Sequence, residues 1–149
     1  LEKNFRRRLA TLGPLLQPDH RFLFEVGCAF GFFLLTAQPM FHEVAGIDVS
    51  AEAVAFAREL GLNATCGDLL TAGVPTRPVD VACLWDTIEH LTAPRLYIEH
   101  LAGCVRSGGL LAVTTGDVGS LVARVRGEAA HSSAHTPALF LGDVYDDVA

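Results

Sequence analysis

The sequence predicts an α/β fold, a doubly wound and mostly parallel sheet with helices on both faces. Three observations carry that prediction. Short apolar runs alternate with segments whose apolar residues recur at helical spacing, the pattern of β–α–β units rather than of hairpins. The runs are nearly continuous in apolar residues, as strands buried on both faces are. Most of them also stop at a glycine or a carboxylate, so strand ends are where the chain turns and a ligand can approach.

Taken in order, residues 2–12 suit an amphipathic helix with Phe5, Leu9 and Leu12 on one stripe, ended by Gly13 and Pro14. Residues 22–26 form a first strand that enters a turn marked by Gly27 and Gly31. A helix is predicted over residues 29–38, closed by Pro39, and a second strand over residues 44–48. Ser50 is placed to cap a helix over residues 51–60, in which Val54, Ala57 and Leu60 share a face and Gly61 supplies the left-handed stop. Residues 63–68 and 79–85 read as a third and a fourth strand, separated by a loop containing Gly73, Pro75 and Pro78. Thr92 is placed to cap the next helix, with Pro94 in its first turn and Tyr97, Leu101, Cys104 and Val105 on its period. A glycine turn and fifth strand follow over residues 107–115, then a helix over residues 117–126 closed by Gly127. Residues 128–149 show no clear period, so a core over residues 1–127 and an irregular tail over residues 128–149 are expected.

At 149 residues the chain makes one domain. Half of it is hydrophobic and the mean hydropathy is +0.35, yet no apolar run approaches the ~18–20 residues that cross a bilayer. No membrane partner is expected, and the amino-terminal segment lacks the pattern of a signal peptide. The net charge of −6 argues against nucleic acid. Arg6, Arg7 and Arg8 are the one basic run, read as a solvated helix face. Cys28, Cys66, Cys83 and Cys104 show no metal-type spacing and suit a reducing, cytoplasmic setting.

The chemistry concentrates where the first strand ends. Glu25, Gly27 and Gly31 form E-x-G-x-x-x-G, an acid at the carboxyl end of a strand beside glycines that admit a ligand to the backbone. A dinucleotide site turns backbone N–H groups toward a pyrophosphate, whereas a carboxylate here suits a cationic amine. S-adenosyl-L-methionine carries that amine and no phosphate. Asp48 closes the second strand, where an acid can accept both ribose hydroxyls, and Asp68 closes the third, placed to accept from an adenine amino group. Trp85 and Asp86 close the fourth, beside the crevice in which open sheets bind ligands.

With these motifs in order from Phe22 to Arg126, the chain resembles class I S-adenosylmethionine-dependent methyltransferases. It is most similar to their ubiquinone-biosynthesis-type, small-molecule branch. The resemblance implies a Rossmann-like sheet and a cofactor site built from Glu25, Gly27, Cys28, Ala29, Gly31, Asp48, Val49, Asp68, Leu69, Trp85 and Asp86. Ala29 stands where the family often has glycine, which should narrow the turn without closing it. It implies a small organic acceptor, methylated on oxygen, carbon or nitrogen. Glu89 and His90 match a pair found in this branch, and His90 is the candidate general base because its ordinary pKa suits proton removal near neutrality. After Gly127 the chain departs from the branch: its usual carboxy-terminal motifs are not in register. The expectation is a truncated or altered end, lacking the last two strands of a seven-stranded sheet. A fifth strand left at the edge would then be prone to pair with another chain, making a homo-oligomer.

Two rivals stand beside this reading. A nicotinamide-dependent oxidoreductase would also use Asp48, but Glu25 and the missing G-x-G-x-x-G register oppose it. A non-catalytic or inactive cofactor-binding module would fit the irregular end. A metal centre is not expected, since His131 and His135 share helical spacing without a third ligand.

Overall fold

The computed structural model describes residues 2–114 and 138–141. Among the described residues six strands form one sheet in the order β3-β2-β1-β4-β5-β6: β1 (Phe22–Val26), β2 (Glu43–Asp48), β3 (Asn63–Cys66), β4 (Val79–Trp85), β5 (Val105–Thr114) and β6 (Ala138–Leu141). Every neighbouring pair is parallel. Chain order reverses between β1 and β4, which opens the switch-point crevice at the carboxyl ends of these two strands.

Side-chain alternation along the strands divides the core into two layers. On one face Leu23, Val44, Val81, Cys83, Trp85 and Ala112 pack against α1 (Glu2–Leu12), α2 (Phe32–Ala37) and α3 (Ala51–Glu59), through Leu9, Leu12, Phe33, Leu34, Val54 and Ala57. On the other, Phe22, Phe24, Ala82, Leu84 and Leu111 pack against Tyr97 and Leu101 of α4 (Pro94–Cys104). Fully buried residues such as Phe33 and Leu34 each contribute roughly 1.5–3 kcal/mol of hydrophobic transfer. That is how so short a helix as α2 stays in place.

Several expected boundaries move. The helix after the glycine turn begins at Phe32 rather than Ala29, because Gly27, Ala29 and Gly31 all have positive φ and cannot enter a right-handed helix. Ser50 caps α3 as expected, its Oγ accepting from the Ala53 amide at 3.3 Å. Thr92 does not cap α4: Ala93 holds that position without a side-chain bond, and Pro94 opens the helix. Val105 leaves the helix and starts β5. The fifth strand is also not an edge, for Leu110–Val113 of β5 pair in register with Ala138–Leu141. Four residues of the expected irregular tail thus form a strand, and among the described residues β6 is the outermost on that side. The helix expected over residues 117–126 and the pair His131 and His135 lie outside the described residues.

The amino ends of β1, β4 and β5 are fastened by one carboxylate. Asp80 accepts from the Arg21 and Phe22 amides, both at 2.7 Å, and from the Arg106 guanidinium. Burial on its own raises the Asp80 pKa, but these hydrogen bonds outweigh it and hold the group below the ordinary carboxylate value. A depressed folded-state pKa means stability that is present above the unfolded value, about pH 4, and is lost as pH falls through the folded one. Asp80→Asn should therefore cost about 1.5–3 kcal/mol at neutral pH. In urea unfolding, its difference from the wild type should shrink below about pH 4; a pH-independent difference would deny the carboxylate this role.

Candidate functional site

Glu25 ends up buried, 3% exposed, on the face of β1 that looks toward α1 and α2. Its register partner on β4 is Cys83, and two residues further along the same face stands Trp85. Burial pushes the Glu25 pKa well up; the Arg8 guanidinium opposes this and Asp48 adds to it. Glu25 Oε2 has no hydrogen-bond partner. A buried carboxylate oxygen without a donor is costly to maintain, so this acid gains little for the fold from where it stands.

The turn beyond Glu25 is held from β2. The Gly27 and Cys28 amides both donate to the Ile47 carbonyl, at 2.8 and 3.1 Å, and the Gly31 amide closes the turn on the Cys28 carbonyl at 2.8 Å. Gly27 has φ +75°, and a Cβ there would come within 2.3 Å of Thr87 Oγ1. Gly31 has φ +77°, and its Cβ would meet Leu62 Cδ1 at 2.4 Å. Ala29 also lies in the left-handed region, at φ 45°, where alanine is strained. Cys28 contributes through its backbone: burial, then Glu25 and Asp48, push its thiol up to about 12, so it stays protonated.

Asp48 faces this turn across the β1–β2 pair. Its Oδ2 accepts from the Ala29 amide and its Oδ1 from the Ser50 amide, both at 2.8 Å. The carboxylate thus fixes the height of the turn while each oxygen keeps lone-pair capacity for a ligand. Val49 beside it is 75% exposed, at the rim. Asp68 lies in the loop after β3, its Oδ1 accepting from the Leu70 amide at 2.8 Å and its Oδ2 from the Tyr97 hydroxyl. The Tyr97 bond first, and the Leu70 bond second, hold the Asp68 pKa below its ordinary value. Leu69 turns into the second core layer.

After β4, Asp86 has φ 50°; its Oδ1 accepts from Thr114 Oγ1 at 2.8 Å and its Oδ2 from Arg8. Trp85 is buried edge-to-face on Phe33, with centroids 5.2 Å apart, and the Arg8 guanidinium lies 5.2 Å from its ring centroid. Glu25, the 27–31 turn, Asp48, Trp85 and Asp86 therefore converge at the carboxyl ends of β1, β2 and β4. His90 stands apart, exposed at the end of the short 3₁₀ turn Ile88–His90.

Arg8 corrects the solvated-face reading of the basic run. Arg6 and Arg7 are exposed, but the Arg8 side chain is only 9% exposed and sits among the acids. The signal lies in the spacing: position 8 is three residues after Phe5 and four before Leu12, on the apolar stripe of α1. Tyr97, Thr87 and Thr114 carry no local signal as site residues, since each contacts a residue remote in sequence.

A profile described as a methyltransferase domain matches residues 1–139. The chain belongs to that family. Among solved structures, this methyltransferase domain is similar to CalS10 of Micromonospora echinaspora, an amino pentose methyltransferase with bound S-adenosylmethionine (TM-score 0.68, 21% identity, 76% of this chain and 50% of that one). It is also similar to the sugar N-methyltransferase KedS8 of Streptoalloteichus (TM-score 0.69, 18% identity, 79% and 50%). A third similar structure is the [4+2]-cyclase SpnF (TM-score 0.63, 24% identity, 76% and 46%). The likeness is one of fold, and the chain spans about half the length of these proteins. No curated protein matches it.

The methyltransferase domain presents groups that fit a sulfonium amino-acid nucleoside. The unpartnered Glu25 oxygen suits an ammonium, the glycine turn gives backbone access, and Asp48 has capacity for paired hydroxyls. Among the described residues no cluster of His, Cys, Asp or Glu has the makings of a metal site. Two substitutions test the turn by thermal unfolding. Gly31→Ala should destabilise by about 1–3 kcal/mol, having neither the φ nor the space, whereas Ala29→Gly should be neutral or stabilising by up to ~1 kcal/mol. The opposite ranking would mean that the turn adopts another conformation.

Proposed function

We propose that this methyltransferase domain holds S-adenosylmethionine in the β1–β4 crevice and transfers its methyl group to a small organic acceptor. The observation that carries the reading is Glu25, a wholly buried strand-end acid with a free oxygen, beside a glycine turn anchored by Asp48. When bound, the donor supplies a methyl group already activated by its sulfonium. The chain's own task is then chiefly placement, because an in-line approach needs the reacting atoms held close and aligned.

Each group has a part in that placement. Glu25 takes the ammonium of the methionine end, and the 27–31 backbone borders the same end. Asp48 accepts the ribose hydroxyls with its remaining lone pairs. Asp68 sits at the adenine end with Val49, its carboxylate kept ionised and oriented by Tyr97 and Leu70, while the Leu69 side chain stays in the core. Trp85 supplies an apolar wall and Asp86 borders the methionine end. His90, exposed beyond β4 and apart from the other groups, is the candidate to take a proton from an acceptor that must lose one. Support for a small polar acceptor comes from CalS10 and KedS8, described as acting on an amino pentose and a sugar. The acceptor atom and a cytoplasmic setting belong to the same proposal; among the described residues no helix is long and apolar enough to cross a membrane.

A second reading keeps the crevice and drops the transfer. SpnF has this fold and is described as a cyclase, so the fold alone does not dictate methylation. Calorimetric titration separates the possibilities at the level of the ligand: S-adenosylhomocysteine should bind and NAD should not. Binding of NAD with no response to S-adenosylhomocysteine would overturn the donor assignment. Asp48→Ala should weaken S-adenosylhomocysteine binding by ~1.5–3 kcal/mol. It should also lower stability, because the same carboxylate ties Ala29 to Ser50. Unchanged affinity would confine Asp48 to that structural task.

A further inference from the structure

Three buried polar atoms lack partners among the described residues: Glu25 Oε2, Arg8 Nε and Trp85 Nε1. All belong to one neighbourhood. Glu25 pairs in register with Cys83, Trp85 follows on the same face of β4, and the Arg8 guanidinium lies over the Trp85 ring. α1 delivers Arg8 there through the packing of Leu9 and Leu12, and Asp86 fixes its guanidinium. Desolvated charges tolerate such a position only when paired. Asp86 accounts for one end of Arg8 and leaves its Nε buried without a partner among the described residues.

We propose that Arg8 is a positioning residue of the donor site, acting through Glu25: its guanidinium supplies the counter-charge that makes an ammonium-binding carboxylate of a buried acid. On this view α1 is part of the site rather than an outer layer of the fold.

The charges around Glu25 make the assignment specific. Among the described residues, the groups that bear on it are Arg8 on α1, Asp48 at the end of β2, Cys83 on β4 and Cys28 in the glycine turn, with Asp86 after β4 acting through its pair with Arg8. Asp48 and Asp86 are acids, and burial raises both thiols so that they stay neutral. Arg8 is the cation of the group. Burial drives Glu25 toward its protonated form, which cannot pair with an ammonium, and Arg8 counters that drive. Asp86 holds Arg8 in place and also limits how much of its charge Glu25 feels.

The test compares wild type, Arg8→Met and Arg8→Lys by calorimetric titration with S-adenosylhomocysteine from pH 5.5 to 8.5. Affinity of the wild type should rise as Glu25 ionises. In Arg8→Met the rise should move to higher pH, with a deficit of roughly tenfold or more at the acid end that narrows toward pH 8.5. The scale follows from titration itself, since moving the midpoint by one pH unit changes the ionised fraction about tenfold on its acid side. Arg8→Lys should follow the wild type, and adding Glu25→Gln to Arg8→Met should remove the pH dependence. A deficit equal at every pH would overturn the proposal and make Arg8 a direct ligand contact or a packing residue.

The ligand readout rests on the donor reading above, so a second measurement stands free of it. Carbon-13 NMR of the Glu25 carboxyl in the ligand-free wild type should show a midpoint above the ordinary glutamate value of about 4.3, and a higher one in Arg8→Met. A wild type that binds no S-adenosylhomocysteine yet shows this titration would sink the donor reading and leave the Arg8 assignment supported. Equal midpoints in the wild type and Arg8→Met would overturn the Arg8 assignment, and Arg8→Gln supplies the same comparison where Arg8→Met does not fold.

Discussion

The site depends on one acid placed where a folded chain gains little from it. Glu25 occupies the last inward position of β1, in a strand whose other residues are all apolar. A leucine there would extend the layer formed by Leu23, Cys83 and Trp85. Instead the position holds a carboxylate whose desolvation is met in part by Arg8 and one of whose oxygens is buried and unpaired. Buried ionisable groups of this kind mark places where local stability yields to function.

The surrounding architecture can be understood as what such an acid requires. The parallel order reverses beside it, which separates the connections that leave β1 and β4. The backbone leaving β1 must clear the crevice at once, which left-handed Gly27 and Gly31 allow. Asp48 carries two amides of its own loops and so couples the ends of β1 and β2. At the opposite end of the strands Asp80 plays the complementary part, fastening β1, β4 and β5 away from the site. Its bonds are satisfied where those of Glu25 are not, which distinguishes a structural carboxylate from one facing a ligand.

Much of this is legible in the sequence because the signals are local. The β–α alternation, the acids at strand ends and the glycine turn each lie within a few residues, and the strands and the convergence of Glu25, Asp48 and Asp86 follow from them. Element ends are less legible. The helix start at Phe32 depends on positive φ at Ala29, and an alanine gives no hint of that. The pairing of β5 with Ala138–Leu141 is a non-local contact that the aperiodic tail does not announce. Arg8 is hidden by its neighbours, since a run of three arginines suggests solvent. Yet it lies on the apolar stripe of α1, and a cation on such a stripe has to meet anions or aromatic faces in the interior. Tyr97 reads as core, correctly for its ring, while its hydroxyl reaches Asp68.

The role of Glu25 is tested most directly by a paired measurement on Glu25→Gln, which keeps the shape and removes the charge. The fold should be at least as stable as the wild type in urea, since a desolvated acid has been neutralised. Affinity for S-adenosylhomocysteine should fall by about tenfold or more, the scale of a charged hydrogen bond. A variant that binds S-adenosylhomocysteine as the wild type does would deny Glu25 its ligand, and one that unfolds would show that the acid holds the strand end together instead.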